Sequence, residues 1–203
     1  VKVELTKAQR RLFDAAIEVF AEHGYGGTRT RDIAAKADRS PAAVYVHHSS
    51  KEELLFAISE RTQRSALAHL QGVYDAHSDP VGRVHAMVME FSLWHLENIQ
   101  AARVTQYEMH ALTPEHRAVV IAQRREFHRL MRTALEAGIR AGAFEVADLH
   151  RTTHSLLALG IDLIRWFDPG VDPDKVSIAR HNADLAIRMI SSLSPSAAHP
   201  GRN

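Results

Sequence analysis

Imidazole is the one abundant metal-ligating or general-base group in this chain, which has fourteen histidines and no cysteine in 203 residues. The lack of cysteine removes disulfides, thiolate metal sites and cysteine nucleophiles. His150 and His154 stand one helical turn apart and could share an ion, but no HExxH sequence, acidic cluster or cysteine completes a coordination sphere. No metal site is expected. A GxSxG elbow, a phosphate-cradling glycine loop and a dinucleotide fingerprint are all missing, and Gly24, Gly26 and Gly27 close a helix instead of following a strand. Neither enzyme activity nor a cofactor is expected. The polar groups that do fall in an informative order lie between Thr30 and Lys51, TRDIAAKADRSPAAVYVHHSSK. Hydroxyls, guanidinium groups, a phenol and imidazoles donate to phosphates and base edges, and the small residues between them let a backbone approach a groove.

Two short helices joined by a tight turn would position those groups. The first has Thr30 as its N-cap and a small apolar face of Ile33, Ala34 and Ala37. Asp38, Arg39 and Ser40 make the turn. Ser40 then caps a second helix whose first position is Pro41, where the missing N–H costs nothing. Val44 faces inward, which leaves Ala42, Ala43, Tyr45, Val46 and His47 on the outer surface, with Lys51 following where it would meet a phosphate. His47 and His48 are adjacent and point to different faces. An ordinary helical hairpin is the alternative, but caps, turn and polar outer face agree on a helix-turn-helix that reads duplex DNA.

The rest of the chain predicts an all-α fold of about nine helices. Hydrophobic residues make up 45% of the sequence, enough for a sizeable core. Thr6 with Gln9 and Ser50 with Glu53 fit the capping-box pattern, and Asp79, Thr113 and Asp172 each precede a proline as N-cap. Helices are expected near residues 6–23, 30–37, 40–47, 50–76, 80–98, 100–111, 114–141, 148–167 and 173–193. Residues 1–50 form the DNA-binding part, 51–193 a larger second compartment, and 194–203 a disordered tail. The first 51 residues hold nine Lys/Arg against six Asp/Glu, leaving sixteen against eighteen in the remainder, so the basic excess sits with the DNA-reading helices. No apolar run approaches the roughly 20 residues of a membrane span, and the N-terminal stretch lacks the apolar segment of a secretory signal. A cytoplasmic protein is expected.

The stretches FAEHGYGGTRTRDIA, Ser40-Pro-Ala-Ala-Val-Tyr45, His47 and Ser50-Lys-Glu-Glu-Leu54 resemble the TetR family of dimeric bacterial repressors in order and spacing. The resemblance implies DNA contacts from Thr30, Arg31, Ser40, Pro41, Ala42, Ala43, Tyr45, Val46, His47 and Lys51, with Arg31 the better base reader. Two positions depart from the family. Arg39 occupies a turn position where an aliphatic anchor is usual, so it is expected to point outward and add a phosphate contact. His48 stands where the family buries a phenylalanine.

A single recognition helix contacts few base pairs, so a homodimer on a palindromic operator is expected, its two helices about 34 Å apart. The last two helices carry stripes that would pair with their symmetry mates: Leu156, Gly160, Leu163 and Phe167, then Ala179, Ala183, Ala186 and Ile190. The same stripes would equally serve internal packing. Polar and aromatic residues interrupting the apolar faces suggest a cavity for a small hydrophobic effector with one polar end: Trp94, His95, Tyr107, Glu108, Arg124, Phe127, His128, Arg165 and Trp166. Aromatics at helical spacing also pack as core, and either arginine could pair with a surface carboxylate. The segment from Tyr107 to Phe144, followed by IRWFDP, resembles the ligand domains of family members that sense acyl-CoA thioesters. The implied function is a ligand-responsive repressor. An effector-independent activator or architectural DNA-binding protein is the alternative.

Overall fold

The computed structural model describes residues 6–40, 42, 44 and 48–191, and among them every regular element is a helix. Helix α1 (Lys7–Gly27) starts at a capping box: the Thr6 hydroxyl accepts the Gln9 N–H at 3.2 Å and the Gln9 amide oxygen accepts the Thr6 N–H at 2.9 Å. Its inner face buries Leu12, Phe13, Ala16, Val19 and Phe20. The expected stop at Gly24 is a break, with φ 66°, after which one further turn runs to Gly27. Helix α2 (Thr30–Lys36) is capped one residue earlier than expected, since the Asp32 carboxylate accepts the Arg29 N–H at 3.0 Å. Asp38 turns the chain in the left-handed region, φ 55°, which a short polar side chain tolerates. Beyond it Ala42 is helical and exposed, while Val44 is helical and buried as its pattern predicts. Pro41, Ala43, Tyr45, Val46 and His47 lie outside the described residues, as does the 194–203 tail.

The larger compartment follows without a linker: α3 (Lys51–Ala76), α4 (Pro80–Glu97), α5 (Ile99–Tyr107) with a 3-10 turn at Glu108–Ala111, α6 (Pro114–Arg140), α7 (Leu149–Ile161), the single-turn α8 (Leu163–Trp166) and α9 (Lys175–Ile190). Ser50, Asp79 and Thr113 cap as their sequences predict, accepting the N–H of Glu53 at 3.1 Å, Gly82 at 2.6 Å and His116 at 3.2 Å. Two boundaries differ. The helix expected over 148–167 divides at Asp162, and the last helix is capped by Asp174, which accepts the Ser177 N–H at 2.9 Å, so Pro173 lies outside it.

Two main apolar cores result. The head core joins α1, α2 and Val44 to Leu54, Leu55 and Ile58 of α3, and is completed by Val104, Leu112 and Val120 from the body side. The body core packs the second half of α3 with α4, α6, α7 and α9. The expected dimer stripe is interior: Leu156, Gly160, Leu163, Phe167, Ala179, Ala183, Ala186 and Ile190 are all buried within the one chain, Leu163 and Phe167 in a small separate cluster with Leu96 and Ile178. A Cβ on Gly160 would stand 2.7 Å from the Phe91 ring, so its small size lets α7 approach α4. Side chains already covered by their own chain offer nothing to a second copy. Leu185 and Met189 are exposed along one flank of α9 and Val176 on the opposite flank, with Arg180, His181, Asp184 and Arg188 on the outward face between them.

Candidate functional site

The head presents a polar surface along the start of α2 and the turn after it. Arg31, Arg39, Ser40 and Ala42 are exposed and Thr30 is half-buried. Arg39 is directed outward, as the cost of burying an unpaired guanidinium requires. His48 packs its ring 5.6 Å from Phe13, taking the place of a buried aromatic. Lys51 serves the head itself: its ammonium donates to the carbonyls of Tyr25 at 2.6 Å and Thr28 at 2.7 Å and sits 4.0 Å over the Tyr25 ring. Two of its three donors are committed to closing the loop between α1 and α2, which leaves one for a phosphate.

A cavity of about 290 Å³ opens in the body. Its wall is built from helix faces at three-and-four spacing: Thr62, Gln63 and Ala66 from α3, Phe91, Trp94 and His95 from α4, Arg124, Phe127 and His128 from α6, and His154, Leu157 and Ile161 from α7. Helix α5 adds Ala102, Thr105 and Gln106, and no Asp or Glu contributes. Trp94, His95, Arg124, Phe127 and His128 are thus brought together as the sequence predicts. Tyr107 and Arg165 lie apart, in an adjoining outer pocket of about 350 Å³ that shares His128 and His154 with the cavity. Arg165 pairs there with Asp162 at 3.3 Å. Glu108 and Trp166 line neither space. The Glu108 carboxylate lies 3.5 Å from where a Cβ on Gly24 would stand, and Trp166 is exposed, on the single-turn helix after the break at Asp162.

The polar groups of the cavity are unequal. The His95 Nδ1 hydrogen-bonds the Phe91 carbonyl at 2.8 Å, and because that oxygen can only accept, Nδ1 holds the proton and Nε2 is left as an acceptor. Burial pushes its pKa from 6.5 down to about 4, against the opposing pull of that hydrogen bond. Burial, then the neighbouring His154 and His150, also lower the pKa of His128. The Arg124 guanidinium donates to the Thr105 carbonyl at 3.1 Å, and burial lowers its pKa from the usual value. Among the described residues it has no carboxylate partner. Thr105 is 2% exposed and its hydroxyl has no hydrogen-bond partner among the described residues. Sequence reading missed Thr105 and Gln106, which have neither charge nor ring; their one signal is three-and-four spacing from Ala102.

His128 joins the pair expected from sequence, its ring 3.8 Å from that of His154, which lies 4.7 Å from His150. Among the described residues no group of three or more His, Asp or Glu side chains is arranged to hold a metal ion.

Head and cavity are tied mechanically. On α3, Ile58 sits in the head core and Thr62, one turn later, lines the cavity. Glu52 at the start of α3 accepts the Thr113 N–H at 2.9 Å and hydrogen-bonds the His116 Nδ1 at 2.9 Å, and Phe56 stacks on His116 with ring centroids 3.8 Å apart. The first turns of α3 and α6 are thereby bolted together, and α6 continues to Arg124 and His128.

Residues 12–58 match the family described as bacterial regulatory proteins, tetR family, and residues 77–190 match the tetracyclin repressor-like C-terminal domain. The HTH-type transcriptional repressor KstR2 of Rhodococcus jostii RHA1 is 27% identical over 207 residues, spanning 92% of this chain and 93% of that one. A bacterial regulatory protein in the tetR family from Rhodococcus RHA1 has the same fold, with a TM-score of 0.87 and 40% identity over 92% of this chain and 98% of its own. The fold is also that of AibR, solved in complex with isovaleryl coenzyme A and operator DNA, at a TM-score of 0.81 and 23% identity over 88% of this chain and 97% of AibR.

Proposed function

This chain belongs to the tetR family of bacterial regulatory proteins, and from that premise we propose that it is a ligand-responsive repressor, released from a palindromic operator by a small hydrophobic effector. It is a transcriptional regulator and not an enzyme. The observation that carries the proposal is the placement of cavity and head core one turn apart on α3. An occupant that changes the spacing of α3, α4 and α6 tilts α3 and, through Ile58 and Glu52, the head. Release requires that the effector prefer the tilted shape by several kcal/mol, since equal affinity for both shapes shifts nothing.

The DNA contacts are assigned to Thr30, Arg31, Arg39, Ser40, Pro41, Ala42, Ala43, Tyr45, Val46 and His47, with the remaining donor of Lys51 on the backbone. A homodimer places two such surfaces on successive major grooves. We assign its contact to the exposed flank of α9 that carries Leu185 and Met189. No described helix is long and apolar enough to cross a membrane, which accords with action in the cytoplasm. An acyl-CoA thioester is one effector class whose acyl chain the cavity could hold by volume. At the roughly 30 Å³ that each water occupies, 290 Å³ holds about ten non-hydrogen atoms, enough for an acyl chain with the nucleotide outside.

The test is binding of the purified chain to a palindromic fragment of its own promoter, followed by fluorescence anisotropy. Arg31→Ala is expected to weaken binding by about 1–3 kcal/mol while leaving the oligomer intact. Cell-derived hydrophobic compounds are expected to release the fragment. If none does, the protein is an effector-independent DNA-binding regulator.

A further inference from the structure

We infer that the effector bears a free carboxylate, seated on Arg124, with a compact apolar body filling the rest of the cavity. The inference rests on reading this cavity as the effector site and names the chemical class that the site selects. Arg124 enters a mostly apolar space whose lining holds no Asp or Glu. A partly desolvated guanidinium without a counter-charge is costly, and an anion brought by a ligand removes that cost. Its donors form a fork that fits a carboxylate through two parallel hydrogen bonds, and one carbonyl, that of Thr105, is the bond it makes here.

Neither His95 nor His128 competes for the anion. His95 turns an acceptor lone pair to its surroundings and stays neutral near pH 7, so it meets a ligand donor and not a negative charge. His128 is held towards its neutral form by burial and by its two histidine neighbours. Arg124 is therefore the fixed cation of the lining. A thioester offers it only a neutral carbonyl, which leaves the charge uncompensated; its phosphates are too far along the molecule to reach the same corner. Free acid and thioester are thus separated by the charge at Arg124.

Octanoate has about ten non-hydrogen atoms and matches the cavity in volume. Calorimetry on the full chain without DNA compares it with octan-1-ol and octanoyl-CoA. Octanoate is expected to bind at least tenfold more tightly than octanol. Arg124→Met should abolish that preference while leaving octanol within twofold, and Arg124→Lys should retain part of it. If Arg124→Met does not fold, Arg124→Lys carries the comparison. Equal binding of octanoate and octanol overturns the inference. So does tighter binding of octanoyl-CoA that Arg124→Met leaves unchanged, or no binding by any acid from butanoate to decanoate or by 3-phenylpropanoate. DNA release is measured separately. Carboxylate binding that depends on Arg124 but never frees DNA preserves the site and ends the repressor-release reading, whereas release by an uncharged compound when no acid binds does the reverse.

Discussion

His95 shows how one residue can report on the whole fold. Its imidazole is 8% exposed and neutral, with a pKa near 4 against 6.5 in the unfolded chain. Between those values the unfolded state binds more protons, so this group's contribution to stability is complete above pH 6.5, falls as pH drops through the window, and levels off below 4. The shift corresponds to roughly 3 kcal/mol. Urea midpoints of the native chain and His95→Gln at pH 7.5 and 4.5 should show a smaller pH dependence in the variant; identical slopes would remove His95 as the cause. At this scale the sequence was legible where chemistry is unusual for its setting. Trp94, His95, Arg124 and His128 stand out because a ring or charge interrupts an apolar face. The part Lys51 plays in closing the head was not legible, because its neighbours in sequence say nothing of the Tyr25 and Thr28 carbonyls, which the loop after α1 folds back towards it.

Among the helices, starts were easier to read than interruptions. Thr6, Ser50, Asp79 and Thr113 cap as their sequences predict, because each cap is a contact between residues three apart. The division at Asp162 has no such local mark, and it carries Trp166 out of the expected cavity wall. The dimer stripe failed for a related reason: periodicity identifies which face is apolar, not whether its partner lies in the same chain. Gly160 decides that question here, since its backbone nearly touches Phe91. Gly160→Ala is expected to destabilise the chain by about 1–3 kcal/mol by pressing a methyl group into that ring. Because Phe91 also lines the cavity, the same variant should shrink the space for a ligand. Denaturant unfolding and octanoate calorimetry would check the two effects, and an unchanged midpoint would refute the packing account.

For the molecule as a whole, assembly must use surface that the chain leaves uncovered. Leu185 and Met189 lie one turn apart on an exposed flank of α9. The double variant Leu185→Glu and Met189→Glu is expected to shift sedimentation from dimer to monomer and to lower operator affinity by more than tenfold, with helical content unchanged. A dimer that persists would move the interface elsewhere. The overall plan, a DNA-reading head on a helical body, was legible from residues 10–55 because those motifs are local. The pairing of body helices was not, because it depends on contacts between residues far apart in sequence.

The head core closes only when Val104, Leu112 and Val120 arrive from beyond α4. A chimera that transplants residues 1–58 onto a foreign receiver would therefore leave its ceiling behind. The portable unit includes the stretch from α5 to the first turns of α6, and any graft that exchanges reading heads between such regulators would have to carry both pieces.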